Sequence, residues 1–314
     1  MTSSGKISGF TLVRNGTQFD YPYLESIRSL LPLVDELIVN IGVGEDDTLS
    51  QIKKLQQTEP KIRYFESDWQ LHNPEKKRGG KILSEQTNLA LKQCSGDWCV
   101  YLQADEVLAE TDLLKIREAI KTYYSEPHID GLLFEYVHFY GSFDVVQHSR
   151  SVYRREVRVI KKSSGAQSVG DAQSFRKKDG SKLTVVHSGA RVFHYGWVRT
   201  PEAMREKTFF MDQLYHGEPS LENAKLRIPH TGDNYRYKRI WGLKPFHGAH
   251  PAVMQERIRN QGWNWDLKNS PRVFHWTDLK KVVLDSIEAL TGYRFFEYRS
   301  YQLTAPSRSS RSCQ

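Results

Sequence analysis

Apolar positions in the first hundred residues alternate between two periods. Residues 7–13, 37–41 and 98–102 are short, largely apolar runs, which predict strands, and 61–65 predict a further one. Between them, residues 19–31 carry Tyr23, Ile27, Leu30 and Leu31 at helical spacing. Residues 46–55 predict a helix with acidic residues at its start, and 82–93 predict another. This strand–helix alternation predicts an α/β protein with a mostly parallel sheet flanked by helices. Ligands of such sheets gather at the carboxyl ends of the strands. Those ends are Val13-Arg14-Asn15, residues 40–47, and Gln103-Ala104-Asp105-Glu106.

Farther on, Leu113, Ile116 and Ile120 predict a helix, and 131–139, 152–160 and 185–195 predict strands. A Gly/Ser-rich loop separates the last two, over 163–170. From Pro201 the chain reads mainly as helices and loops, ending in an amphipathic segment at 279–290. This divides the chain into a nucleotide-binding and catalytic unit at 1–215 and a helical C-terminal region at 216–305. The latter is a candidate for acceptor, dimer or membrane-surface contact. A Ser/Arg-rich tail at 306–314 is expected to be disordered.

Charge refines this picture. Residues 1–150 hold 16 Lys+Arg against 22 Asp+Glu, a net of −6, while 151–314 hold 29 against 15, a net of +14. The two halves therefore present different surfaces. At 314 residues with 39% hydrophobic content, the chain is neither disordered nor fibrous. No run approaches the roughly 18 apolar residues of a membrane span. The first residues show no signal-peptide pattern. Three cysteines, Cys94, Cys99 and Cys313, form neither a disulfide framework nor a zinc spacing, so a cytoplasmic setting is expected. Nucleic-acid-binding signatures are absent despite the basic second half, and no G-x-G-x-x-G follows the first strand.

The segment Gly96-Asp97-Trp98-Cys99-Val100-Tyr101-Leu102-Gln103-Ala104-Asp105-Glu106 is an apolar strand that stops at two acids. Asp105 in that position can ligate a divalent cation, although acids at strand ends are also common without any such role. The segment, with Asn88 on the preceding helix, resembles the Asp-x-Asp region of bacterial-type family 2 glycosyltransferases with the GT-A fold. Residues 7–15 resemble that family's first strand and Arg-Asn turn, and 37–48 its second strand and acidic loop. The resemblance covers roughly residues 7–215.

The resemblance implies an inverting transfer of sugar from a nucleotide-diphosphate sugar to a hydroxyl of a glycan or glycolipid, as in cell-surface polysaccharide synthesis. It implies Thr11, Arg14, Asn15, Asn40, Asp46, Gln103 and Arg199 as donor-binding residues. It implies Asp105 and His194 as ligands of Mn2+ or Mg2+. Gln103 stands where the family has its first Asp, and it can hydrogen-bond a ribose hydroxyl or a metal-bound water. Asp171, in the loop after two predicted strands, is the candidate general base, with Glu106 and Asp144 as runners-up. Arg205 and Lys207 are further candidates for the diphosphate. Trp197 is the tryptophan expected to touch ligand. Two histidines, His247 and His250, read as part of a structured loop. A homodimer and peripheral contact with an anionic inner-membrane face are the remaining partner expectations. A nucleotide-sugar binder without turnover, a nucleotidyltransferase and a nucleic-acid-binding protein are the alternatives.

Overall fold

The structure is a computed structural model that describes residues 5–217 and 235–304. The expected tail at 306–314 lies outside them.

Three βαβ units build the N-terminal half. They are β1 (Ile7–Val13), α1 (Tyr23–Leu30), β2 (Glu36–Gly42), α2 (Thr48–Thr58), β3 (Ile62–Ser67), α3 (Lys81–Gln93) and β4 (Trp98–Tyr101). Strands β1, β2, β3 and β4 are all parallel, in the spatial order β3-β2-β1-β4. Every residue of β1, β2 and β4 is buried, because both faces of the sheet are covered. Leu37, Val39 and Ile41 pack with Ile27, Leu30, Ile52, Ile116 and Ile120 on one face, and Ile38 packs with Phe10, Ile82 and Tyr101 on the other. This two-sided burial is why these strands read as unbroken apolar runs.

The chain continues through β5 (Glu106–Leu108), α4 (Leu113–Thr122), β6 (Gly131–Tyr140), β7 (Ser142–Gln147) and β8 (Arg155–Lys161). It then forms a small hairpin, β9 (Gln167–Val169) with β10 (Ser174–Arg176), and the long β11 (Thr184–Trp197). Strand β8 adds antiparallel to β4, and β6 lies between β8 and the parallel β11. Helix α5 (Pro201–His216) follows, with Thr200 capping its start. The C-terminal region contributes β12 (Leu243–Pro245), α6 (Gln255–Arg259), α7 (Trp276–Thr291) and β13 (Gln302–Leu303). Strand β12 pairs with β7 and β13 with β11, so this region adds two strands to the large sheet. The α/β class is thus as expected. Strand β7 goes unread in the sequence because it follows β6 after the single turn residue Gly141, at φ +73°.

Strand order reverses between β1 and β4, since β2 lies on one side of β1 and the later β4 on the other. The crevice at such a switch point, outside the carboxyl ends, is where open α/β sheets bind ligands.

Candidate active site

A cavity of about 310 Å³ opens at that switch point. Arg14 after β1, Gln103 and Asp105 after β4, Asp171 after β9, His194 and Trp197 on β11, and Lys207 on α5 all line it.

Asp105 is fixed from below. Its neighbour Glu106 is fully buried, and its two oxygens accept from Arg158 Nη2 and Nε, both at 2.8 Å. Tyr136 donates to the same carboxylate at 2.7 Å, as does the Gln103 backbone N–H at 3.0 Å. The Arg158 guanidinium lies 5.3 Å from the rings of Tyr101 and Tyr136. Glu106 therefore clamps the turn that presents Asp105 and has no free oxygen with which to act as a base.

The two oxygens of Asp105 face different partners. Oδ2 accepts from Lys207 Nζ at 3.1 Å and lies 3.8 Å from the buried Arg199 guanidinium. Oδ1 faces His194 Nε2 at 3.7 Å. Burial opposes ionisation of Asp105, but the cations Lys207 and Arg199 outweigh it and hold the carboxyl well below its usual range. Burial lowers Lys207 to about 8, with Arg199 adding to the effect and Asp105 opposing it.

Geometry fixes the protonation pattern of His194. The Tyr153 carbonyl can only accept, so His138 Nε2 donates to it at 2.6 Å. Burial pushes His138 down to about 3, so its Nδ1 is a lone pair at neutral pH. His194 Nδ1 therefore donates to His138 Nδ1 at 2.9 Å, and burial lowers the His194 pKa, so that at neutral pH its Nε2 is a lone pair turned toward Asp105. Register brings these residues together, since His194 of β11 stands opposite His138 of β6 on one side and Glu106 of β5 on the other. Gly196 completes the arrangement, because a Cβ there would come within 2.6 Å of the His194 ring.

Asp171 lies in the turn between β9 and β10, where Ala172 takes a left-handed φ of +62°. Its Oδ2 accepts from Tyr215 at 2.7 Å and its Oδ1 from the Gln173 N–H at 3.3 Å. Asn88 of α3 holds this hairpin in place, donating to the Ser168 carbonyl at 2.9 Å and accepting from its N–H at 2.8 Å. The remaining wall is aromatic, with Phe19, Tyr21, Trp69 and Phe210. The Arg14 guanidinium lies 5.9 Å from the rings of both Trp69 and Phe210.

The structure thus gathers Arg14, Gln103, Asp105, Asp171, His194, Trp197 and Lys207 around one cavity. It does not bring the other expected residues there. Asn40 is fully buried, donating to Gln86 and accepting from Ser67, because it shares the sheet face covered by α3. Asp46 precedes α2 and accepts from the N–H groups of Thr17, Gln18 and Thr48. Thr11 is buried within β1, and Asn15, at φ +50°, bonds Gln18. Arg199 lies buried behind Asp105, donating to the Phe19 carbonyl at 2.8 Å. Arg205 and Asp144 are exposed and off the cavity. His250 bonds Tyr195 inside an aromatic cluster, as a structured loop requires.

Four residues that serve the site are not evident from the sequence: Arg158, His138, Tyr215 and Trp69. The first two sit in strands that look like ordinary core, and Tyr215 lies on an unremarkable helix face. Trp69 follows β3 and is 3% exposed.

No protein-family model and no curated protein matches the chain. Among solved structures, the chain is similar to S. aureus TarS at 13% identity and a TM-score of 0.38, over 66% of this chain and 39% of that one. A second likeness is to the mannosyltransferase PcManGT from Pyrobaculum calidifontis in complex with GDP-Man and Mn2+. There the identity is 14% and the TM-score 0.37, over 55% of this chain and 51% of that one. A third is to glucosyl-3-phosphoglycerate synthase from Mycobacterium tuberculosis in complex with Mn2+, UDP and phosphoglyceric acid. It shows 24% identity and a TM-score of 0.29, over 43% of each chain. The matched part of this chain spans about two-fifths of the length of TarS.

Proposed function

We propose that the protein is an inverting glycosyltransferase that moves a sugar from a nucleotide-diphosphate sugar to a hydroxyl of a glycan or glycolipid. The observation that carries this reading is the divided environment of Asp105. One oxygen is held by Lys207, and the other faces a histidine lone pair at the mouth of the switch-point crevice.

A divalent cation fits the donor atoms present. Asp105 Oδ1 and His194 Nε2 are one carboxylate oxygen and one neutral imidazole nitrogen, a set that suits Mn2+ better than the harder, oxygen-preferring Mg2+. Among the described residues no cluster of three His, Cys, Asp or Glu is found, so the donor diphosphate and water would complete the set. When bound, the cation supplies positive charge to the leaving diphosphate.

The chain's own residues carry the rest. Lys207 and Arg14 bring fixed positive charge to the cavity where the diphosphate develops negative charge. Gln103 offers an amide to a ribose hydroxyl, and Trp197, 38% exposed, offers a ring face to a sugar. Asp171, oriented by Tyr215, takes the proton of the acceptor hydroxyl as its oxygen attacks the anomeric carbon.

The split between binding and transfer tests this assignment. Asp171→Asn is expected to lower transfer by about 10²–10⁴-fold while donor affinity by calorimetry stays within about twofold. Lost donor affinity in that variant would make Asp171 a structural residue.

Lys207 gives the reaction a pH dependence. Its ammonium is present below about pH 8 and is lost as pH rises through that value. The rate kcat/KM for donor turnover should therefore fall on the alkaline side with a midpoint near 8, and Lys207→Met should remove that limb. A profile flat to pH 10 would show that Lys207 does not act as a charge.

A further inference from the structure

Helix α7 is mounted with its charged face inward. Asp285 accepts from Arg150 Nε at 2.9 Å and from the Trp241 indole at 3.0 Å. Glu288 is held by Arg150 at 2.9 Å and Arg154 at 2.6 Å. Asp278 is 5% exposed and pairs with Lys281 at 2.8 Å. Asp285 and Glu288 are thus held by the body of the protein, and Asp278 within the helix itself.

The outward face is apolar. Trp276, Leu279, Val283 and Leu290 are 89, 53, 51 and 87% exposed. At 3.6 residues per turn these four fall within about 60° of one another, with Asp285 on the opposite side. Phe274, just before the helix, and Phe296, just after it, are 61 and 87% exposed. A helix packed on a globular protein ordinarily buries such a stripe. Contiguous exposed apolar patches of this kind mark interaction sites.

We infer that this face of α7 docks on an anionic lipid bilayer, lying in the interface with its apolar stripe inserted. Charge and side-chain type select that occupant. Among the described residues, exposed Lys280 beside the stripe and Arg272 just before it have no acidic partner, and the outward stripe carries no acid. A second copy docked through the same face would bring only the same cations, whereas an anionic surface answers them. Aromatic residues with Leu and Val on one face and Lys at its margin suit the layer between headgroups and acyl chains. No described helix is long and apolar enough to cross a membrane, so contact is with the surface. This inference is independent of the donor chemistry above.

Sedimentation of the full chain with vesicles of phosphatidylcholine, with and without phosphatidylglycerol, tests it. Partition onto the anionic vesicles should be stronger by about tenfold or more. Lys280→Glu should erase most of that difference. A Trp276→Ser, Leu290→Ser variant should lose about tenfold in partition onto anionic vesicles, with its melting temperature kept because both side chains are exposed. Equal partition onto both vesicles, or none, would overturn the inference. So would a wild-type dimer in analytical ultracentrifugation that Leu290→Ser converts to monomer, because the stripe would then be a self-interface.

Discussion

Asp105→Asn should lower donor turnover by about a thousandfold or more. The amide keeps the shape of the carboxylate and removes the charge that two cations share and that a metal ion beside His194 would need. Lys207 lies at 3.1 Å, Arg199 at 3.8 Å and the His194 lone pair at 3.7 Å. With the carboxylate neutral, Oδ1 becomes a poor cation ligand. The buried Arg199 and the half-buried Lys207 then face each other across the site without a counter-charge. Lys207 relieves that conflict by releasing its proton, since Asp105 is the group that otherwise raises its pKa. The fold should survive for this reason, with a loss in melting temperature smaller than a fixed buried charge would cause. Donor hydrolysis under single-turnover conditions reads the first effect, and Mn2+ affinity by electron paramagnetic resonance reads the second. Activity within about tenfold of wild type would mean that the chemistry does not pass by Asp105.

Glu106→Gln should be the costliest substitution for stability, at about 3–5 kcal/mol. Both Glu106 and Arg158 are fully buried, and each carboxylate oxygen accepts two hydrogen bonds. The amide leaves the Arg158 charge uncompensated between two tyrosine rings and supplies donors where only acceptors fit. Removing the charge as well, in Glu106→Gln with Arg158→Met, should recover part of the loss, which a double-mutant cycle in urea would measure. Activity should fall alongside stability in the single variant, because the same carboxylate holds the Gln103–Glu106 turn. A loss under about 1 kcal/mol would show that the pair does not organise this region.

The contrast between adjacent Asp105 and Glu106 shows how far the sequence could be read. A strand ending in two acids points to the candidate site, and the family resemblance implies Asp105 and His194, which the fold sets 3.7 Å apart. Nothing in the local pattern distinguishes the acid facing the cavity from the one facing Arg158, because that arginine stands 52 positions away. The parallel part of the sheet was legible for a plain reason: strands covered on both faces must be apolar throughout. Asn40 shows the opposite case. As a polar residue near a strand end it resembles a ligand contact, yet it shares a face with Ile38, and α3 covers that face with Gln86. His138 was illegible because a histidine in a core strand has the same sequence appearance whether it fills space or sets another histidine's tautomer.

Calorimetric titration of the purified protein with a panel of nucleotide-diphosphate sugars, with Mn2+ and then with a chelator, tests the central claim most directly. One member of the panel should bind with Mn2+ present, bind more weakly by about tenfold or more once the ion is removed, and lose that dependence in His194→Ala. Absence of binding by every member, with or without the ion, would contradict the account.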